Sequence, residues 1–165
     1  MDIFTFMVEH GDEASLDRIT ELSETFAEEC ELYRILKFNR EKFKEYARKF
    51  TISGSGAVII GASVYGEIVG YTAVVADDMC TDKPRLEMAT FYVHPEFRNS
   101  GVGAALADKF CELIAINGIE YAQVSICAHF EKDRELIQRA TELLFRRRGF
   151  KQIGVIMGKT EEKHA

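Results

Sequence analysis

The sequence has little in it that would staple, tether or interrupt a fold. Among its 165 residues are four cysteines, Cys30, Cys80, Cys111 and Cys127, and no two of them form a Cys-x-x-Cys pair. Zinc ligation needs clustered Cys and His at short spacing, so no metal site is expected, and the thiols read as free, as in a reducing compartment. No run approaches the ~20 apolar residues that cross a bilayer. Met1 to Phe4 carry no basic stretch ahead of an apolar segment, so no secretory signal is read there. The expectation is a cytoplasmic protein with no membrane partner. Internal repeats and low-complexity stretches are absent. The only prolines, Pro84 and Pro95, sit near expected strand ends, where a missing N–H is tolerated.

What is present fits a single domain over 1–165. Hydrophobic residues make up 47% and charged residues 29%, an ordinary globular balance, in a chain long enough to bury a core without staples. The net charge of −6 argues against nucleic acid, whose phosphates need a basic surface. It suits a cationic substrate such as an amine through long-range attraction, and it equally suits plain solubility.

Hydrophobic periodicity divides the chain. Residues 2–8 read as a strand. Residues 12–30 read as a helix capped by Asp12, with Leu16, Ile19, Leu22, Phe26 and Cys30 on one face. A second helix runs from Arg40 to Phe50 behind Asn39, with Phe43, Tyr46, Ala47 and Phe50 together. Strands over 57–64 and 68–76 flank a tight turn at Tyr65, Gly66 and Glu67. Another strand spans 85–93. A helix from Gly101 to Asn117 ends at Gly118, followed by a strand over 119–127 and a helix over 131–148 with Leu136, Ile137, Ala140, Leu143 and Leu144 inward. A last strand covers 150–158. Consecutive strands in the first half suit antiparallel hairpins, and the later strand–helix–strand unit needs a crossover and a parallel pair. The fold class is therefore α/β: a mixed sheet with helices on both faces.

The chemistry concentrates between Tyr92 and Ala104, in the string Tyr-Val-His-Pro-Glu-Phe-Arg-Asn-Ser-Gly-Val-Gly-Ala. A strand ends at Val93 and a helix begins near Gly101. Free N–H groups at a helix N-terminus, with the macrodipole behind them, favour a pyrophosphate. Glycine at 101 and 103 lets the backbone approach it closely. The third glycine of a dinucleotide turn is missing, since position 106 is Leu106, and no Gly-Lys-Ser/Thr follows as in a P-loop. By itself a Gly-x-Gly of this kind is also compatible with a packed strand-to-helix connection.

The whole string is more specific. Val93, Pro95, Arg98, Gly101 and Gly103 resemble motif A of the GNAT N-acetyltransferase family, Val-x-Pro-x-x-Arg running into Arg/Gln-x-x-Gly-x-Gly/Ala. The order of elements over about residues 1 to 158 resembles it too, as does the ending at Gly149 and Phe150. The resemblance implies a mostly antiparallel sheet whose fourth and fifth strands splay apart, and acetyl-CoA as co-substrate. The CoA pyrophosphate would lie on the backbone of Arg98, Asn99, Ser100, Gly101, Val102, Gly103 and Ala104. The pantetheine arm would pair with Phe91, Tyr92 and Val93. An amine of a small-molecule or protein acceptor would attack the thioester directly, the oxyanion being held by backbone N–H near the end of the fourth strand. Whether the chain forms a homodimer is left open. The closing segment around Arg147 to Lys151 also resembles small acetyltransferases encoded by tailed phages.

One departure stands out. Many members carry a tyrosine four residues before the Gly149 equivalent, to protonate the leaving thiolate; this chain has Phe145. Tyr121, Tyr92, Cys127 or water are the alternatives, and weak or absent catalysis in a CoA-binding module is another. For the general base the expectation is Glu87, the one acidic residue of the fourth strand, which simple alternation puts on one face with Ala89, Phe91 and Val93. A bulge common in this strand of the family decides which face meets the acceptor, and the sequence does not mark its position. His94 and His129 are lesser candidates. Arg139, Arg146, Arg147 and Arg148 either meet the CoA 3′-phosphate or complement a helix dipole. Glu28, Glu29 and Glu31 either line an amine rim or are a solvated helix face.

Overall fold

The computed structural model describes residues 1–78, 82–125 and 134–153. Five strands form one sheet in chain order: β1 (Ile3–Met7), β2 (Ala57–Val64), β3 (Glu67–Asp77), β4 (Arg85–Val93) and β5 (Ala122–Val124). The first four are antiparallel to their neighbours, and β5 runs parallel to β4. The helices are α1 (Glu13–Glu29), α2 (Glu31–Leu36), α3 (Arg40–Phe50), α4 (Val102–Ile116), which is the crossover, and α5 (Arg134–Arg146). The mixed sheet with helices on both faces is as the sequence leads one to expect. No helix among the described residues is long and apolar enough to cross a membrane.

Local chemistry sets the helix ends. The Asp12 carboxylate accepts the Ser15 N–H at 3.1 Å, and Asn39 Oδ1 accepts the Lys42 N–H at 2.9 Å, each filling an orphan donor of a first turn. Gly118, at φ +60°, closes α4, with its own N–H on the Ala115 carbonyl and the Ile119 N–H on that of Ile114. That pairing satisfies two last-turn carbonyls.

Two apolar layers result. Against one face, α1 and α3 bury Leu16, Ile19, Leu22, Ala47 and Phe50 on Ile59, Ile68, Tyr71 and Tyr92. Against the other, α4 and α5 bury Val102, Leu106, Ala107, Phe110 and Phe145 on Ile60, Ala62, Val69 and Met88.

Several expectations need correction. Cys30 is extended (φ −105°) and buried, ending α1 and starting the short α2, which periodicity does not mark. Tyr46 is exposed, with its ring against Phe50. In α5 the buried position is Phe145, beside the partly buried Leu144, and Leu136, Ala140 and Leu143 are exposed. The large ring of Phe145 fills the core against Phe91 and Phe150 and turns the leucines one step outward. β5 is three residues long, the start of the expected 131–148 helix lies outside the described residues, and 150–153 are not in a strand. The rest of that last expected strand also lies outside them.

The correction that matters most is in β4. Its register with β3 runs Thr90 to Ala73 and then Met88 to Val74, so Ala89 has no partner and forms a bulge. The extra residue shifts the alternation. Leu86, Met88, Phe91 and Val93 face α4, whereas Tyr92 faces α1. Glu87 lies opposite Val75, on the α1 side. It does not share a face with Phe91 and Val93, and the burial beside them that simple alternation implies is not there.

Candidate active site

β4 ends where the His94 N–H bonds the Val69 carbonyl at 2.9 Å. A 3-10 turn, Pro95–Phe97, follows, then Arg98 in extended geometry, Asn99 at φ +67° and Gly101 at φ +96°. The first α-helical bond of α4 runs from the Ala105 N–H to the Gly101 carbonyl at 3.0 Å. The N–H groups of Val102, Gly103 and Ala104 thus precede it and point out of the helix end, which makes a place for an anion. The two glycines differ. A Cβ at Gly101 would be strained by the positive φ and would sit 3.3 Å from Ile3 Cδ1. One at Gly103 would meet Phe91 Cζ at 3.5 Å and Leu144 at 3.9 Å, ordinary contacts inside the protein.

Beside this turn runs the C-terminal half of β4. β4 pairs with β5 only at Leu86, Glu87 and Met88. Among the described residues, Ala89 to Val93 have no partner on that side. Phe145 borders the same region, 2% exposed and edge-on to Phe91 at 5.6 Å. Its phenyl ring has no proton to give.

The side chain of Arg98 turns into the protein. Its Nε donates to the Val93 carbonyl at 3.1 Å, an Nη donates to Glu29 Oε2 at 2.6 Å, and the guanidinium lies 5.7 Å from the Tyr92 ring centre. The Tyr92 hydroxyl donates to the other Glu29 oxygen at 2.7 Å. Burial, then the Glu29 carboxylate, push the Tyr92 phenol well above its ordinary range, so it is a poor acid for a leaving thiolate. Sequence reasoning leaves Glu29 between an amine rim and a solvated helix face. Its partners lie 63 and 69 residues away, and no local pattern signals them.

The remaining candidates are placed as follows. Glu87 is half-buried, with Val75 and Gln123 as strand neighbours, just before the bulge. His94 stacks edge-on to Phe97, and its Nδ1 is buried without a hydrogen bond. Tyr121 is exposed beside β5. Arg146 pairs with Glu142, and Arg148 bonds Asp108 at 2.8 Å and the carbonyls of Leu144 and Ala104. Cys127, His129 and the side chain of Glu31 lie outside what is described. A groove of about 410 Å³ is lined by Glu24, Ala27, Glu28, Tyr33 and Phe38. Among the described residues no cluster of His, Cys, Asp and Glu could hold a metal ion.

A turn of this geometry after β4 is what the sequence motif calls for, and the family comparison covers it. The model of the acetyltransferase (GNAT) domain family matches residues 55–152, more than half of the chain. The chain belongs to the GNAT family. As a GNAT protein it is an acetyl-CoA-dependent N-acetyltransferase. Solved structures repeat the fold over nearly the whole chain. An aminoglycoside acetyltransferase from an uncultured soil metagenomic sample matches at TM-score 0.68 and 19% identity, over 98% of this chain and 100% of that one. The aminoglycoside N-acetyltransferase AAC(6')-Iy in complex with CoA matches at 0.70 and 12%, over 98% and 95%. A ribosomal-protein-alanine N-acetyltransferase from Brucella melitensis biovar Abortus 2308 matches at 0.64 and 14%, over 95% and 100%. At these identities the likeness is one of fold. No curated protein matches the sequence.

Proposed function

We propose that this GNAT protein acetylates a primary amine of a cationic acceptor by direct attack on acetyl-CoA. The observation that carries the reading is the turn from Arg98 to Ala104, with its outward N–H groups beside the stretch of β4, Ala89 to Val93, that has no β5 partner among the described residues. Those residues fit the co-substrate: Val102, Gly103 and Ala104 would hold the pyrophosphate by backbone N–H and helix dipole, and Phe91 to Val93 would pair with the pantetheine amides. Acetyl-CoA supplies the activated acyl group. Backbone N–H near the end of β4 would hold the negative charge that develops on the carbonyl oxygen. Glu87, one residue short of the bulge pair, would take the ammonium proton directly or through water, so that the new C–N bond forms as the C–S bond breaks. Water or Tyr121 would protonate the thiolate, since Phe145 cannot.

The acceptor side is supported by charge. The groove between α1 and α2 offers the carboxylate of Glu28 and the rings of Tyr33 and Phe38, with Glu24 beside them already paired with Arg40, a combination that attracts a cation. Structural neighbours named for aminoglycosides and for a ribosomal-protein alanine give the amines to try first. Free Cys30 and Cys111 fit a reducing, cytoplasmic setting.

The test is release of free CoA thiol from acetyl-CoA with aminoglycosides, polyamines and peptides bearing a free N-terminus. Turnover with at least one cationic amine is expected. On that substrate Glu87→Gln should lower the rate by a factor on the order of 10²–10⁴ while CoA still binds. An unaltered rate would remove Glu87 from the role. The buried phenyl of Phe145 favours a second reading, a CoA-binding module without turnover. CoA binding by calorimetry, with no thiol released by any amine, would establish it.

A further inference from the structure

We propose that Glu29, Tyr92 and Arg98 form a latch that holds the coenzyme A turn in its binding shape, with Glu29 as a positioning residue. The inference rests on the reading that CoA occupies this turn. Both oxygens of one carboxylate are used: Oε1 takes the Tyr92 hydroxyl at 2.7 Å, and Oε2 takes the Arg98 guanidinium at 2.6 Å. The pair is largely withdrawn from water, with side-chain exposures of 27% for Arg98 and 24% for Glu29. It is therefore less screened than the surface ion pairs of the molecule. The same guanidinium donates to the Val93 carbonyl and lies over the Tyr92 ring. One side chain thus joins the end of β4, the end of α1 and the ring between them.

Two features show why a fastening is needed. Asn99 adopts φ +67° directly after Arg98, and a non-glycine residue in that region persists only where its surroundings over-determine it. Glu29 is the last residue of α1, where the helix dipole disfavours a carboxylate. Arg98 and Tyr92 compensate for that placement. A guanidinium engaged in this way is not free to bind phosphate, so Arg98 serves the pyrophosphate by shaping the backbone that receives it. The latch also continues outward: Phe26 packs on Tyr92 at 5.3 Å and on Tyr33 at 5.9 Å, and Tyr33 lines the groove that the acceptor would use.

The experiment uses the full chain and three variants: Glu29→Gln, Arg98→Gln and the double substitution. CoA affinity is measured by calorimetry, and amide hydrogen exchange is followed in the ligand-free protein. Each single change should weaken CoA about tenfold, as expected for losing one charge-assisted hydrogen bond, and the double should be no weaker than the singles. Exchange of the amides from Asn99 to Ala104 should quicken about tenfold without CoA, with β2 amides unchanged as the control for folding. In turnover with any accepted amine, KM for acetyl-CoA should rise while kcat stays within about twofold, the mark of lost uniform binding. Tyr92→Phe, which keeps the ring, should give a smaller effect in the same direction. Additive losses, a much larger effect at Arg98 than at Glu29, or unaltered exchange in the turn would overturn the latch. If the unmodified protein binds no CoA, the functional reading fails, and the exchange measurement still decides the latch by itself.

Discussion

The layer under α4 and the layer under α1 to α3 are built by different means. The first packs chiefly apolar side chains, Val102, Leu106, Ala107 and Phe110, and leaves the backbone N–H groups of the first turn of α4 pointing outward. The second is tied by hydroxyls and charges. Ser23 bonds the Tyr71 hydroxyl at 2.8 Å, Arg48 bonds both oxygens of Glu13, Lys44 pairs with Asp17, Arg40 pairs with Glu24, and Glu29 holds Tyr92 and Arg98. The first lies within the family-matched segment, 55–152, and the helices of the second lie before it. On the proposed function the co-substrate, common to the family, would be read by main chain, which many sequences can supply, and the acceptor by side chains, which need not be shared.

The contrast can be broken or sharpened by substitution. Phe110 is fully buried under the sheet, and Phe110→Ala should cost about 3–5 kcal/mol, read as a lower denaturant midpoint. A much smaller loss would mean that this layer is not the rigid one. Phe145→Tyr places a hydroxyl where the ring is buried against Phe91 and Phe150. Without a ligand it should destabilise by about 1–3 kcal/mol if the hydroxyl finds no partner, and bound acetyl-CoA should recover part of that loss in a thermal melt if the hydroxyl reaches the thioester. Where thiolate departure limits the rate, turnover should rise; an unaltered rate would mean that water already serves.

The glycine pair gives a smaller but cleaner contrast. Gly101→Ala should cost about 1–2 kcal/mol in stability through its left-handed φ and weaken CoA. Gly103→Ala lies in a helix with room for a methyl and should hold or raise stability by up to about 1 kcal/mol. Equal losses at both positions would show that the turn, not the strain at 101, is what the ligand requires. The smallest effect belongs to the charged layer. Hydrogen bonds from Arg48 and then Lys44 hold the Glu13 carboxyl at about 2, below its ordinary 4.5. Its stabilising contribution is therefore full above about pH 4.5 and fades as pH falls towards 2. Melting curves through that window should show Glu13→Gln converging with the unmodified protein at the acid end, by a modest amount because the pair is exposed.

Much of this was legible in the sequence where a local rule applies. Asp12, Asn39 and Gly118 mark helix ends by chemistry that acts within a few residues, and β4 runs from Arg85 to Val93 as its composition suggests. The turn from Arg98 to Ala104 is a local motif as well. What escaped is non-local or unmarked. Glu29 meets its partners across more than sixty residues. The α5 face is set by which of its large side chains wins the core, and Phe145 wins over Leu136 and Leu143. The bulge falls on Ala89, a residue type with no turn chemistry to announce it.

That bulge acts on the strand as a frameshift acts on a coding text. β4 is written in a two-letter alternation, one side then the other, and Ala89 inserts one extra letter. Everything after it, Phe91 and Val93 included, is read in one frame, and everything before it, Glu87 included, in the other. Drawing Ala89 into the regular ladder, with the turn after Val93 in place, would move Glu87 through the sheet to the α4 side, whereas deleting Ala89 would leave it on the α1 side. The face on which Glu87 stands is thus set by whether one residue is counted into the ladder, independently of the turn that follows Val93.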